Sequence, residues 1–201
     1  MKPNVGMLYP VASAINTYTP YTGITYGTGF VVSEARGASV SWETENGEFY
    51  GDDILLDAAK GIIGYTIDFE SAGLSDTVRA KLLGDVKNNN TDEYTITGAD
   101  APDVGFGYIK RMRDNSSGTA VETYEAWWYY KVKFAQPNEE ARTKEKNIEW
   151  RVPTINGTGM GVYLASGDTK PNFVAHQTFS SLTAAKAYLN TKAGISSGTS
   201  T

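Results

Sequence analysis

The chain contains no cysteine and a single histidine in 201 residues. Without cysteine there is no disulfide framework and no thiolate metal site, and redox chemistry on sulfur is excluded. One histidine, His176, cannot form a histidine-rich metal site, and no serine or cysteine in a nucleophile-elbow motif lies near it in the sequence. A structural role is therefore the favoured interpretation of His176, and no metal or cofactor is expected.

Long hydrophobic runs and basic clusters are also missing. No stretch reaches eighteen consecutive apolar residues, and Met1–Asn4 leads into no apolar run of signal-peptide length. Lysine and arginine number 18 against 23 acidic residues, which gives a net charge of -5. We therefore expect a soluble chain without a membrane segment. We also expect no tight binding to nucleic acid, because binding to the phosphate backbone requires clustered basic residues.

Aromatic residues and glycine are abundant, with thirteen tyrosines, four tryptophans and twenty-one glycines. This composition favours strands and turns. The length suits a single domain, 1–201, with one core and no internal repeat. We predict a mostly β (α+β) fold: a sandwich or barrel with one or two short flanking helices, a long hairpin and an extended N-terminal arm.

The first half of the chain predicts an arm, several strands and a helix. Residues 1–30 form the arm, with one short strand near Met7–Tyr9. Two short strands joined by a bend at Ala35–Gly37 fill Phe30 to Trp42. The pair Asn46-Gly47 predicts a type I′ turn, and hence a hairpin over Ser39–Asp53 with an acidic tip.

Residues Ile62–Glu70 alternate as in a half-buried strand, with Asp68 and Glu70 facing outward and four side chains facing inward: Ile63, Tyr65, Ile67 and Phe69. Ser75 is expected to cap a helix over Asp76–Leu83 that Gly84 ends. Further strands are predicted at Glu93–Thr97, Val104–Met112 and Met160–Leu164, and an alternating strand is predicted with Ile148, Trp150 and Val152 inward. Ser181 is expected to cap a second helix over Leu182–Lys192. The tail, Gly194–Thr201, is expected to be flexible or held by a neighbour.

Val121–Phe134 alternates throughout, with the even-numbered residues forming a core stripe. Its opposite face mixes Trp127 and Tyr129 with charged residues. Three explanations stay open: a helix or the N-terminal arm covers the two rings, the rings form a subunit interface, or they form a sugar-stacking platform as in carbohydrate-binding β-sandwiches.

Candidate catalytic motifs are weak. Gly157–Gly161 resembles a phosphate loop without its lysine and is interpreted as a turn. Asp114–Gly118 lacks the ligand pattern of a calcium loop. Three carboxylate pairs suit glycoside hydrolysis in residue type only, because nothing predicts the apolar pocket that raises a carboxyl pKa: Asp52 with Asp53, Glu43 with Glu45, and Asp68 with Glu70. No catalytic residue is expected, and a hydrolase is the weakest hypothesis.

Several segments between Gly47 and Thr158, taken in order, resemble the major tail proteins of long-tailed, non-contractile bacteriophages, the subunits that form the tail tube. The segments are Glu48–Asp53, Gly64–Glu70 followed by Leu74–Asp76 and Leu82–Gly84, Asp103–Lys110, and Tyr130–Pro137 followed by Val152–Thr158. No one motif is specific to the family, but their order along the chain is.

The resemblance implies a twisted β-sandwich or barrel with a flanking helix, and no catalysis. It implies hexameric rings that stack into a hollow tube in the virion tail, assembled in the host cytoplasm. Implied partners are further copies of the chain and the tail terminator, distal tail and tape measure proteins. DNA passes through the lumen without specific binding, and the acidic balance of the chain suits such a conduit.

Contact residues follow as a hypothesis. Lumen-facing acids are expected at Asp68 and Glu70. Contacts between subunits or rings are expected at Trp42, Glu43, Glu45, Glu48, Phe49, Tyr50, Asp52, Asp53, Trp127 and Tyr129, with Arg142, Lys144 and Lys146 as basic partners. The alternative function is a carbohydrate-binding β-sandwich module that uses exposed aromatic residues.

Overall fold

The computed structural model describes residues 3–32, 35–51, 54–71, 73–114, 120–138 and 154–196, with backbone alone at 35, 46–51 and 54–59. Over these residues the chain is mostly β with two short helices, which confirms the predicted fold class. The strands are β1 (Asn4–Thr19), β2 (Gly23–Tyr26), β3 (Phe30–Val31), β4 (Ala35–Gly51), β5 (Ile54–Ser71), β6 (Val86–Lys87), β7 (Tyr94–Thr95), β8 (Asp103–Asp114), β9 (Val121–Phe134), β10 (Thr154–Gly159) and β11 (Val174–Phe179); the helices are α1 (Asp76–Leu83) and α2 (Leu182–Ala193).

The main sheet is antiparallel in the order β2-β1-β8-β9-β10-β5-β4, with β3 added to β1 and β11 added to β9. Strand β9 is its centre. Strand β8 pairs along one side of β9, while β11 pairs with Tyr124–Tyr129 and β10 with Val132–Phe134 on the other side. Two different strands therefore share one edge of β9.

Both faces of the β8–β9 pair are buried, because neighbouring residues on these strands belong to different cores. The first core contains Tyr108 and Tyr129 and is covered by β5 and α1. The second core contains Ile109 and Trp128 and is covered by α2. One helix therefore lies on each face of the β8–β9 pair, with β5 beside α1 on the first face.

Trp128 requires glycine on the strand beside it. Its fully buried indole lies against β8, where a Cβ atom on Gly107 would be 2.7 Å from Trp128 Cε3 and 2.8 Å from the Trp127 carbonyl oxygen. The same Cβ would be 3.0 Å from Leu189 Cδ2 of α2. Gly107 therefore lets the helix and the indole approach the sheet together.

The two helices begin and end as their capping residues predict. The Ser75 hydroxyl accepts the Val78 amide hydrogen at 3.4 Å, and Gly84 ends α1 at φ 84°. The Ser181 hydroxyl accepts the Ala184 amide hydrogen at 3.3 Å, and α2 runs one residue beyond the predicted Lys192. The bounds of α1 and of β9 are confirmed without change.

The predicted N-terminal arm is wrong for most of its length, because Asn4–Thr19 is one strand inside the sheet. Val11 and Ala12 are fully buried there. Tyr9 has a positive φ of 51°, and the pairing register with β8 shifts between Leu8 and Val11. A bulge of this kind tolerates the proline at position 10, which hid the strand in the sequence.

The predicted turn at Asn46-Gly47 is also wrong, since Asn46 pairs with Lys60 and Gly47 with Ala59. Strand β4 continues to Gly51 and β5 starts at Ile54, so the hairpin is much longer than Ser39–Asp53. An Asn-Gly pair permits positive φ but does not impose it, and a long partner strand satisfies the backbone here. The expected bend at Ala35–Gly37 is a register shift at the start of β4.

Two predictions after residue 154 fail. The glycine pattern predicted a turn, but its first residues, Gly157–Gly159, lie in β10, and the expected strand at Met160–Leu164 is a single bridge between Val162 and Asn172. Strand β11 was missed because its middle residues are polar and exposed and show no alternation. The predicted turn over 115–118 and the strand with Ile148, Trp150 and Val152 lie outside the described residues.

Replacing Gly107 with alanine should destabilise the fold by about 1–3 kcal/mol, because the new methyl group overlaps a ring and a backbone carbonyl inside a close-packed core. Urea denaturation measures the change. The matched control is Gly6→Ala in β1, where no atom lies within 4 Å of the added Cβ. A Gly107→Ala variant as stable as the Gly6→Ala variant would contradict the packing described here.

Candidate assembly surfaces

The β4–β5 hairpin extends beyond the rest of the sheet. Strand β10 pairs with β5 only from Glu70 to Tyr65, so among the described residues β4 alone pairs with residues 54–64. We call residues 43–64 the hairpin ribbon. A two-stranded ribbon of this kind is marginally stable in water without a further surface to pack on.

Apolar side chains are exposed where the ribbon leaves the core. Ile62 and Ile63 are 46% and 59% exposed. The prediction that Ile63 faces inward is wrong, because the register shifts between Glu43 and Thr44 and this bulge ends the alternation at Ile63. Two consecutive exposed isoleucines leave apolar area at this position that another chain can cover.

The predicted contact residues divide into three groups. Trp42 lies at the base of the ribbon, 5.3 Å from Tyr65 and 6.3 Å from Phe173 between ring centroids, and is 39% exposed. Glu43 and Glu45 are exposed. Only the backbone is described at Glu48, Phe49 and Tyr50, whereas Asp52, Asp53, Arg142, Lys144 and Lys146 lie outside the described residues.

Asp68 and Glu70 face solvent, as predicted, on a polar face of the sheet. Their cross-strand neighbours are Ser39 and Asn156 beside Asp68, and Thr154 beside Glu70. Further along this face two lysines are paired with two carboxylates: Lys131 Nζ lies 3.1 Å from Asp103 Oδ2, and Lys133 Nζ lies 3.8 Å from Asp100 Oδ2. The face therefore combines exposed acids with neutralised cations.

Trp127 is contacted from both neighbouring strands. Lys110 Nζ of β8 lies 3.8 Å from its ring centroid, and the His176 ring of β11 stacks on it at 4.7 Å with an interplanar angle of 17°. The indole nitrogen donates a hydrogen bond to Glu125 Oε2 at 2.9 Å. Among the described residues, the side chains around Trp127 come from its own sheet and not from a helix or an N-terminal arm.

Tyr129 is buried, so its side chain is not available for a subunit contact, contrary to the prediction. It is 1% exposed, its hydroxyl hydrogen-bonds the Tyr108 hydroxyl at 3.1 Å, and its ring lies 5.2 Å from that of Tyr65. The prediction failed because it assumed one buried face for β9. The pairing register between β8 and β9 shifts between Val104 and Phe106. At this shift, the residues of β9 that face a given core change from one alternating set to the other.

The residues around Trp127 could not be found from local sequence signals. Lys110 and His176 come from strands far apart in the chain, and His176 lies on the strand that was missed. The structural interpretation of His176 agrees with its stacking on Trp127.

Within the described ranges, no three or more histidine, aspartate or glutamate side chains cluster as a metal site would require. Neither helix in this part of the chain has the length and apolar character needed to cross a membrane. Compared with known proteins, the chain matches no family model and no curated protein.

The buried tyrosines predict a loss of stability in alkali. Burial raises the pKa of Tyr65 and of Tyr129 in the folded chain above the unfolded value of about 10. The folded state therefore holds protons that the unfolded state releases, so the contribution of these tyrosines to stability is constant below about pH 10 and falls above it. Each such tyrosine contributes a slope of about 1.4 kcal/mol per pH unit.

Replacing Tyr129 with phenylalanine should make this slope shallower by about that amount, measured by urea denaturation from pH 9 to pH 11. Parallel stability curves for the wild type and the Tyr129→Phe variant would contradict the burial of an ionisable hydroxyl at this position.

Proposed function

We propose that the chain is a structural subunit that assembles with copies of itself into stacked hexameric rings, which form the tail tube of a long-tailed bacteriophage. The tube lies in the virion and conducts DNA during ejection. One observation carries the proposal: a hairpin ribbon that projects beyond the core and exposes isoleucine side chains at its base.

The ribbon is better suited to an assembly than to an isolated chain. Ile62 and Ile63 leave apolar area in contact with water. Because each isoleucine is already about half buried, covering the remainder stabilises a complex by about 0.7–1.5 kcal/mol per side chain, before the entropy of association is subtracted. A neighbouring subunit supplies that cover and a surface for a ribbon that is marginal alone.

Strand edges support the same proposal. Across the described residues, β4 pairs on one side only and β11 pairs only with β9. Long unpaired edges promote association between chains, and a monomeric protein normally shortens or blocks them. In a ring, the edges of neighbouring subunits approach one another.

The charge of the exposed sheet face suits a DNA conduit. Asp68 and Glu70 face solvent, and Lys131 and Lys133 on the same face are paired with Asp103 and Asp100. Exposed carboxylates beside paired lysines repel the phosphate backbone and let DNA slide past. The proposed lumen lies on this face. Contacts with terminator, distal tail and tape measure proteins rest on the sequence resemblance.

A sugar-binding function has less support. A stacking platform needs an open aromatic face, whereas Trp127 is contacted by Lys110 and His176, and Tyr129 is buried. No feature of this surface favours the carbohydrate-binding alternative.

Electron microscopy of the purified chain tests the proposal. The wild type should form rings or tubes, and the double variant Ile62→Ser/Ile63→Ser should form neither, because it removes the apolar contact. Both residues are about half exposed in the single chain, so each substitution should lower the free energy of unfolding of the chain by only about 1 kcal/mol.

Ile96→Ser is the matched control, since Ile96 is 56% exposed and lies outside the ribbon. It should assemble like the wild type. Tubes of normal length from the Ile62→Ser/Ile63→Ser variant would contradict a role for the ribbon, and the absence of any particle from the wild type would contradict the proposed function.

A further inference from the structure

Negative charge is concentrated in the β4–β5 hairpin. Residues 35–71 contain eight acidic and two basic side chains, whereas the remaining 164 residues contain fifteen acidic and sixteen basic ones. The hairpin therefore accounts for the acidity of the chain, and the rest is close to neutral. A partner for the ribbon should carry basic side chains without acidic ones beside them.

The C-terminal part has the opposite composition. Residues 169–201 contain three lysines and no aspartate or glutamate. Two of these, Lys186 and Lys192, lie on α2 and flank its buried stripe of Ala185, Leu189 and Ala193. No carboxylate in the described part of the chain forms an ion pair with either lysine.

Aromatic rings hold both ammonium groups in place. Lys186 Nζ lies 4.8 Å from the centroid of the Tyr9 ring, and Lys192 Nζ lies 5.7 Å from that of Tyr188 and 5.8 Å from that of Tyr130. A cation–π contact uses no hydrogen-bond acceptor, so each ammonium keeps its donors for a carboxylate. Ordering the lysines in advance lowers the entropy that a complex must lose.

The acidic ribbon and the basic helix lie on different sides of the molecule. The ribbon continues from β5, which covers the first core, whereas α2 covers the second core on the opposite face of β8 and β9. One chain therefore does not bring them together. Two copies can, and because the joined surfaces differ, the contact repeats from copy to copy and generates rings or stacks.

We infer that the acidic hairpin ribbon of one copy docks on the Lys186 and Lys192 surface of α2 in another copy. The inference rests on the proposed self-assembly and names the surface that receives the ribbon. Exposed Glu43 and Glu45 supply carboxylates at the base of the ribbon.

The segment containing Arg142, Lys144 and Lys146 is a poorer match in charge. Residues 139–151 contain four basic and four acidic side chains, so the segment has no net charge. The acidic side chains of this segment would repel the acidic ribbon and offset the attraction of the basic ones. Helix α2 offers cations alone.

A charge exchange tests the docking. The helix variant Lys186→Glu/Lys192→Glu should raise the concentration needed for assembly about tenfold or more at low salt, because like charges then face each other. Adding Glu43→Lys/Glu45→Lys to the same chain restores opposite charges and should recover most of the loss. Light scattering measures the assembly, and circular dichroism confirms that each variant is folded.

Lys81→Glu/Lys87→Glu is the matched control, since it makes the same change in net charge on exposed lysines away from α2. It should assemble within about twofold of the wild type. Unchanged assembly of the helix variant would overturn the inference, and so would a loss that the exchanged charges fail to recover. Recovery with Arg142→Glu/Lys144→Glu/Lys146→Glu in place of the helix variant would assign the ribbon to that segment instead.

Crosslinking separates this inference from the proposed function. The chain has no cysteine, so single cysteines react without background. A mixture of Glu45→Cys and Ala187→Cys chains, treated with a short bismaleimide, should give several times more dimer than a mixture of Glu45→Cys and Thr95→Cys chains. Equal yields would overturn the docking even if tubes form, whereas a wild type that forms no particle while the α2 crosslink appears would overturn the tube alone.

Discussion

Burial of both faces of the β8–β9 pair is the constraint on which the rest of the structure depends. Residues that alternate along these strands must enter two separate cores, so neither face is left to water at their centre. Strand β5 and α1 cover one face, and α2 covers the other. The approach of α2 requires Gly107, because the Trp128 indole occupies the space that a side chain would need. The positions of α1, α2 and the β4–β5 hairpin therefore follow from the need to cover both faces of the β8–β9 pair.

Burial of both faces of the β8–β9 pair also separates the surfaces used for the core from those available for contacts with a partner. The core uses β5 only from Tyr65 to Ser71, and the rest of that strand continues with β4 as a ribbon outside it. Aromatic side chains that looked like an interface are satisfied within the chain, since Trp127 has Lys110, Glu125 and His176 around it. In the described part of the chain, the surfaces left for a partner include the ribbon, the unpaired strand edges and the lysine-bearing side of α2. The ribbon is acidic and the α2 surface is basic, which favours contacts between copies over a contact with a ligand.

Local rules predicted what depends on local interactions. Capping by Ser75 and Gly84 places α1, and strict alternation places β9 at its observed bounds. Features that depend on distant pairing were missed. Asn46-Gly47 lies inside a strand because Lys60 and Ala59 pair with it, and the N-terminal segment is a strand because β8 pairs with it around a bulge. The neighbours of Trp127 come from strands that no periodicity connects. Exposed Asp68 and Glu70 were predicted from alternation alone, whereas exposed Ile63 required knowledge of the bulge beside it.

Self-assembly is the central claim, and the mass of the chain in solution tests it most directly. Size-exclusion chromatography with light scattering, run over a range of concentrations at low salt, measures that mass without a substitution or a label. The account predicts species at multiples of the 21.8 kDa chain that grow with concentration, with six copies as the smallest closed ring. A single species of 21.8 kDa at every concentration and salt level would contradict it.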